Sequence, residues 1–252
     1  MNQIKDILLQ GDPISLKEMD KVALMNRTDT KFVLAEKTLI EVLEQVIPYY
    51  SVLEINGVRI NKYETLYYDT PDFKFYLRHQ NGKKNRLKIR KRSYVDSHLT
   101  FLEVKFKSNK DRTIKDRTKL QELLMPLDQG HLDFIETETG FHDELEPKLM
   151  NSFSRITLVG KVHNERITID TQLQFNFDGR EALLPGVIIV EAKQEKANRH
   201  SYFIQELKRR VVRPESISKY CIGAALLYPE LKQNNFKEKL IKLRKIAYVI
   251  PA

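Results

Sequence analysis

In the run Arg86-Leu87-Lys88-Ile89-Arg90-Lys91-Arg92, four cations fall on one parity and Leu87, Ile89 and Lys91 on the other. Side chains at i, i+2 and i+4 of a β-strand share a face, so Arg86, Lys88, Arg90 and Arg92 would stand in one row about 7 Å apart. A second run, Thr100 to Lys107, puts Glu103, Lys105 and Lys107 on one face and Leu102, Val104 and Phe106 on the other. Rows of like charge need an anion. Guanidinium forks and ammonium groups give phosphoryl oxygens charge-assisted hydrogen bonds, and strand spacing suits successive phosphates of a chain. Acids set among the bases, Glu103 and Glu191 above all, then act as ion-pair partners or as ligands of Mg²⁺ or Mn²⁺ bridging the phosphates. A lone Lys or Arg on a strand is ordinarily a solvated side chain. Repetition of the pattern on about six strands points instead to a concave polyanion site.

The elements that must position these rows are mostly short strands. Arg27 to Leu34 reads as a strand with Arg27, Asp29 and Lys31 on one face, and Arg112 to Arg117 as one with Lys115 and Arg117 on one face. Phe153 to Lys161 and Arg166 to Leu173 follow, the second placing Arg166, Thr168 and Asp170 together, and Val187 to Lys193 sets Glu191 beside Lys193. Asn56-Gly57 between Tyr50–Ile55 and Val58–Asp69 predicts a type I′ hairpin. Helices are expected at 15–19, where Ser15 and Glu18 form a capping box, at 36–46, at 73–78, at 201–210 and at 216–227. Residues 119–150 read as two or three short helices, a lid or flank. About eight strands with hairpin connections and a polar inner face predict a β-dominated α+β fold: a closed antiparallel β-barrel forming a tunnel, with flanking helices.

Composition bounds the partner. The chain has 252 residues and a formal charge of +9, with an isoelectric point near 9.4, which favours an anionic ligand. One cysteine, Cys221, rules out an internal disulfide framework and suits a reducing compartment. The N-terminal residues lack the apolar core of a signal peptide, and no apolar run nears the ~18 residues of a membrane span, so a cytoplasmic location is expected. No glycine-rich loop, CxxC or HExxH motif supports a P-loop, zinc or dinucleotide site. The division expected is one tunnel domain over 1–228 and a basic tail over 229–252.

Taken in order, the motifs resemble the VTC domain, the polyphosphate polymerase branch of the triphosphate tunnel metalloenzyme superfamily, over roughly residues 20 to 228. Arg27-Thr28-Asp29-Thr30-Lys31-Phe32 is similar to the family's opening strand, whose lysine enters the tunnel. Arg90-Lys91-Arg92-Ser93-Tyr94 fits its R-x-R-x-Y strand and Phe101-Leu102-Glu103-Val104-Lys105 the neighbouring F-L-E-x-K. Lys115-Asp116-Arg117 resembles the next basic strand, and Phe153-Ser154-Arg155 stands where the family has an aromatic-x-Arg, usually with Tyr. Arg166 to Asp170 fits R-x-T/S-x-D, Val190 to Lys193 contains the E-x-K whose glutamate binds metal, and Ser218-Lys219-Tyr220 fits the S-K-Y/F of a helix that closes the tunnel.

The resemblance implies transfer of the ATP γ-phosphate to a growing polyphosphate with Mn²⁺ or Mg²⁺ as cofactor. By it, Lys31, Arg90, Arg92, Lys105, Lys115, Arg117, Arg155, Arg166 and Lys219 bind phosphate, Glu191 binds the metal, and Arg90, Arg92 and Lys219 meet the transferred group. Two alternatives stay open. A triphosphate or nucleoside triphosphate hydrolase of the same superfamily opens on E-x-E-x-K, where this chain has Arg27, Asp29 and Lys31. A non-catalytic polyphosphate-binding module would use the same cations without turnover. Expected partners are ATP and inorganic polyphosphate, with a separate membrane protein as a docking candidate and no nucleic acid.

Overall fold

The computed structural model describes residues 1–21, 27–107, 113–195 and 198–248. From the N-terminus it runs α1 (Asn2–Leu9), β1 (Asp12–Ile14), α2 (Leu16–Lys21), β2 (Thr28–Ala35), α3 (Glu36–Val46), β3 (Tyr50–Leu53) and β4 (Asn61–Asp69). Then come α4 (Lys74–Gln80), β5 (Arg86–Tyr94), β6 (Leu99–Lys107), β7 (Thr113–Leu120), α5 (Gln129–Thr139), β8 (Glu146–Gly160) and β9 (Glu165–Phe177). The chain ends with β10 (Arg180–Leu184), β11 (Val187–Gln194), α6 (Tyr202–Arg209), α7 (Lys219–Leu227) and α8 (Lys237–Tyr248). The main sheet has the order β2-β11-β9-β8-β4-β5-β6-β7, each neighbouring pair antiparallel.

The closed barrel expected from sequence is not seen among the described residues. Among the described residues β2 and β7 do not pair, and the sheet is an open strip with those two at its ends. The reason lies at the β2 edge. The Glu215 amide donates to the Lys31 carbonyl at 2.7 Å, and Phe32 bridges Pro214. The segment leading into α7 therefore occupies the hydrogen-bonding edge that β7 would need. Its continuation spans the gap: Lys31 Nζ donates to the Ile217 carbonyl at 3.2 Å, and Lys88 Nζ on β5 donates to Ser218 Oγ at 3.1 Å.

One face of the strip is apolar because every second residue is. Phe32, Leu34, Ile156, Leu158, Ile167, Ile169, Ile188 and Val190 bury against Leu39, Val42, Leu43 and Val46 of α3, the helical i, i+3, i+4, i+7 stripe, and against Phe203 and Leu207 of α6. Farther along, Leu87, Ile89, Leu102 and Val104 pack with Ile135 of α5. Within 119–150 only α5 is helical among the described residues, capped by Asp128, whose carboxylate accepts from the His131 amide. Pro126 and Pro147 bar the flanking segments from helix, and β8 begins at Glu146, earlier than alternation alone suggested.

The hairpin turn forms, with Asn56 at φ 51° and Gly57 at φ 76°, both left-handed as a type I′ turn requires. The strands part after the Ile55–Val58 bridge. Both edges of β4 are taken, by β8 and β5, so β3 pairs with β8 and with β1 instead. The opposite, concave face is partly filled by α7, whose Tyr220, Ile222 and Ala224 pack on Val33, Leu149 and Ile189 together with Leu240 and Leu243 of α8. Gly223 allows that approach, since a Cβ there would lie 2.5 Å from Phe175 and 2.7 Å from Leu149. The basic C-terminal segment thus enters the core through α8. No helix among the described residues is long and apolar enough to cross a membrane.

Candidate functional site

Residues opposite one another in a sheet register share a face. Register therefore assembles the site strand by strand. Lys31 faces Glu191, which faces Thr168; Lys193 faces Arg166; Arg155 faces Asp170; Thr65 faces Arg92 and Tyr67 faces Arg90; Lys88 faces Lys105, which faces Lys115; and Glu103 lies between Arg90 and Arg117. With Lys219 reaching in from the first turn of α7, all nine cations assigned to phosphate, and Glu191, project from the concave side. They are not equally enclosed. Lys31, Arg90, Arg92, Lys105, Arg155, Arg166 and Lys219 are buried or half-buried, while Lys115 and Arg117 on the terminal strand are exposed.

Three carboxylates organise the enclosed cations, and each is shared by two of them. Glu103 takes Arg90 at 2.6 Å and Arg92 at 3.8 Å. Asp170, 3% exposed, accepts both Nε and Nη2 of Arg155, at 2.6 and 2.8 Å, and also binds Lys219. Glu191 takes Lys193 at 2.9 Å and Lys31 at 3.8 Å. Burial would raise each carboxyl, but the paired cations win. Glu103 is held down to about 2 by Arg90 and Arg92. Asp170 and Glu191 lie far below the ordinary carboxylate range, through Arg155 and Lys219 in one case and Lys193 and Lys31 in the other. All three acids are ionised at neutral pH.

The lysines are lowered as well, which for them favours the neutral form. Burial brings Lys88, Lys105, Lys193 and Lys219 each down to about 8. Neighbouring cations add to this: Lys31 and Arg90 at Lys88, Lys115 and Lys88 at Lys105, and Arg155 at both Lys193 and Lys219. Cys221, Glu191 and Asp170 oppose it at Lys88, Lys193 and Lys219 respectively, and Glu191 does so weakly at Lys105. A bound polyanion favours the ammonium form, so binding takes up protons. Affinity for metal-free ATP, whose terminal phosphate has already lost its last proton by about pH 8, is therefore expected to fall as pH rises from about 8 to 9. Calorimetry in buffers of different ionisation enthalpy reads the proton uptake directly, and pH-independent affinity would contradict it.

Aromatic rings lie against several of the cations, two of them sharing Phe153. Lys219 Nζ lies 4.2 Å from the centroid of Phe153, and the Arg155 guanidinium lies 4.9 Å from Tyr63 and 5.2 Å from Phe153. Phe153 thus acts here as a platform rather than through a hydroxyl. Three side chains at the centre were left without a role by the sequence pattern. Asp170 and Lys193 were visible by parity, sharing faces with Arg166 and Glu191. Tyr67, the third, lies on the same side of β4 as Thr65 and is buried with the core. Burial would raise its phenol, yet Arg90, Arg92 and Lys219 bring it below its ordinary value.

For a divalent cation the donor set fits in one form only. Glu191 offers a single ionised carboxylate, and among the described residues no three His, Cys, Asp or Glu side chains converge on one point. Phosphate oxygens and water would have to complete the shell, which is how Mg²⁺ and related ions ordinarily bind nucleotides.

A family model for the VTC domain matches residues 26–228. Similar solved structures include a candidate adenylyl cyclase from Hippeastrum with a dominant triphosphatase activity, at 14% identity and a TM-score of 0.49, covering 80% of this chain and 96% of that one. A candidate adenylate cyclase from Bacillus halodurans is similar at 14% identity and a TM-score of 0.48, covering 77% and 96%. A conserved hypothetical protein from Pyrococcus furiosus is similar at 10% identity and a TM-score of 0.44, covering 78% and 99%. No curated protein matches the sequence.

Proposed function

We propose, since this chain belongs to the VTC domain family, that it transfers the γ-phosphate of ATP onto inorganic polyphosphate and releases ADP. The observation that carries this reading is the pairing on the concave face. Glu103, Asp170 and Glu191 are each bound by two cations, so the face offers an incoming anion fixed positive groups rather than carboxylates.

Phosphoryl transfer between two anions asks for alignment and relief of repulsion more than for a protein nucleophile. Arg90 and Arg92, locked by Glu103, would hold the transferring group from one side. Lys219, fixed by Asp170 and Phe153, would meet it from the helix side. Lys31, Lys105, Arg155 and Arg166 would bind the flanking phosphates, with Lys115 and Arg117 at the rim. Glu191 would hold Mn²⁺ or Mg²⁺ against the phosphate oxygens; such an ion neutralises charge that develops on the bridging oxygens.

Incubation of the protein with ATP and Mn²⁺ tests the reading, and ADP together with a growing polymer is the expected product pair. ADP with free orthophosphate would replace it by the hydrolase of the same superfamily. Tight triphosphate binding without ADP under any divalent metal would leave a binding module.

A further inference from the structure

The concave face carries different chemistry at its two ends. Toward one end, Arg86 and Lys88 of β5 stand opposite Lys107 and Lys105 of β6, and Lys115 of β7 lies beside them. Toward the other end the same parity turns aromatic. Phe153 of β8 stacks on Tyr63 of β4 with ring centroids 5.2 Å apart and planes 18° from parallel. Tyr63 packs on Tyr94 of β5 at 5.0 Å, and Tyr94 meets Phe101 of β6 edge-on at 5.9 Å. The row crosses four adjacent strands and opens as it goes: Phe153 and Tyr63 are buried, Tyr94 and Phe101 half-exposed. At its open end the guanidinium of Arg117, an exposed residue, lies 4.4 Å from the Phe101 ring centroid.

A chain of phosphates gives an aromatic ring nothing to bind, because the ring face is itself electron-rich. A nucleobase does. Phe101 stands opposite Arg92 in the β5–β6 register, one step from the Arg90–Glu103 pair, so strand spacing sets its ring about 5 Å to one side of the phosphate row. A ribose bridges such an offset. We propose that Phe101 and Arg117 form the base subsite for a nucleoside triphosphate, the base taking the ring face that Arg117 now covers and Arg117 closing over its other side. Tyr94, whose hydroxyl donates to Glu103 at 3.2 Å, ties this shelf to the carboxylate that fixes Arg90 and Arg92. The proposal rests on the nucleotide-dependent transfer proposed above and moves Arg117 from phosphate to base.

Stacking of a base on an aromatic ring contributes about 1–3 kcal/mol with little dependence on which base. The subsite would thus prefer a nucleoside over a bare triphosphate while discriminating weakly among bases. Equilibrium binding tests it without turnover: wild type, Phe101→Ala and Phe101→Leu are titrated with ATP, ribose 5-triphosphate and inorganic triphosphate at fixed ionic strength. Wild type is expected to bind ATP about tenfold or more tightly than ribose 5-triphosphate. Both variants should lose that difference and keep their affinity for the two base-free ligands. Phe101→Leu retains apolar bulk, so loss there is not loss of folding. Wild type that binds ATP and ribose 5-triphosphate alike, variants that keep the preference, or variants weakened toward all three ligands would each overturn the subsite. Failure to release ADP from ATP would instead sink the transferase reading and leave the base preference as measured.

Discussion

Arg90→Ala is expected to slow ADP release from ATP by roughly a thousandfold while weakening ATP binding by about tenfold or less. The asymmetry follows from where charge moves. A fork held 2.6 Å from Glu103 is already fixed in place, so it need not reorganise as negative charge redistributes on the transferring group. In the ground state the remaining cations of the face still hold the triphosphate. The substitution also leaves Glu103 with Arg92 at 3.8 Å and the Tyr94 hydroxyl as its partners, and breaking this half-buried pair costs stability, toward the low end of the roughly 3–5 kcal/mol of a fully buried one. Arg90→Lys separates the two effects, since it keeps a charge beside Glu103 but loses the planar fork. It should fold better than Arg90→Ala and still turn over slowly. Equal losses in turnover and in ATP affinity would place Arg90 in ground-state binding and away from the transferred group.

Glu191→Gln should cut metal-dependent turnover by about a hundredfold with the opposite effect on metal-free binding. Its carboxylate neutralises Lys193 at 2.9 Å and Lys31 at 3.8 Å. Removing that charge frees both ammonium groups for the ligand, so inorganic triphosphate without metal should bind at least as tightly as to wild type. The two measurements together separate a metal ligand from a structural ion-pair partner. If turnover at limiting Mn²⁺ stays at the wild-type level, Glu191 does not hold the metal.

Local periodicity made the concave face legible, because which side of a strand a residue faces depends only on its neighbours in sequence. Arg86 to Arg92 could be placed from seven letters. The E-x-K pair of Glu191 and Lys193 was visible for the same reason. Closure of the sheet was not, since it turns on total twist and on competition for the β2 edge from Pro214 and Glu215, distant in sequence. Asp170 could be assigned to a face but not to a partner, because Arg155 and Lys219 reach it from another strand and from a helix. Tyr67 packs in the core, as a ring on an apolar-looking strand should, but only the register beside Arg90 brings it among cations.

The sharing of each carboxylate by two cations has a consequence for counterions. Six cations bound to three acids present a net charge of only about half their number to the surrounding salt, so the protein carries part of its own ion atmosphere inside the fold. A long polyphosphate docking there would release fewer counterions than a count of arginines and lysines suggests, and log affinity against log salt should fall with a shallower slope than six independent contacts would give. Asp170→Asn, which strips the acid from Arg155 and Lys219, should steepen that slope. Such a site would keep most of its grip on a polyanion at ionic strengths that loosen an unpaired basic surface.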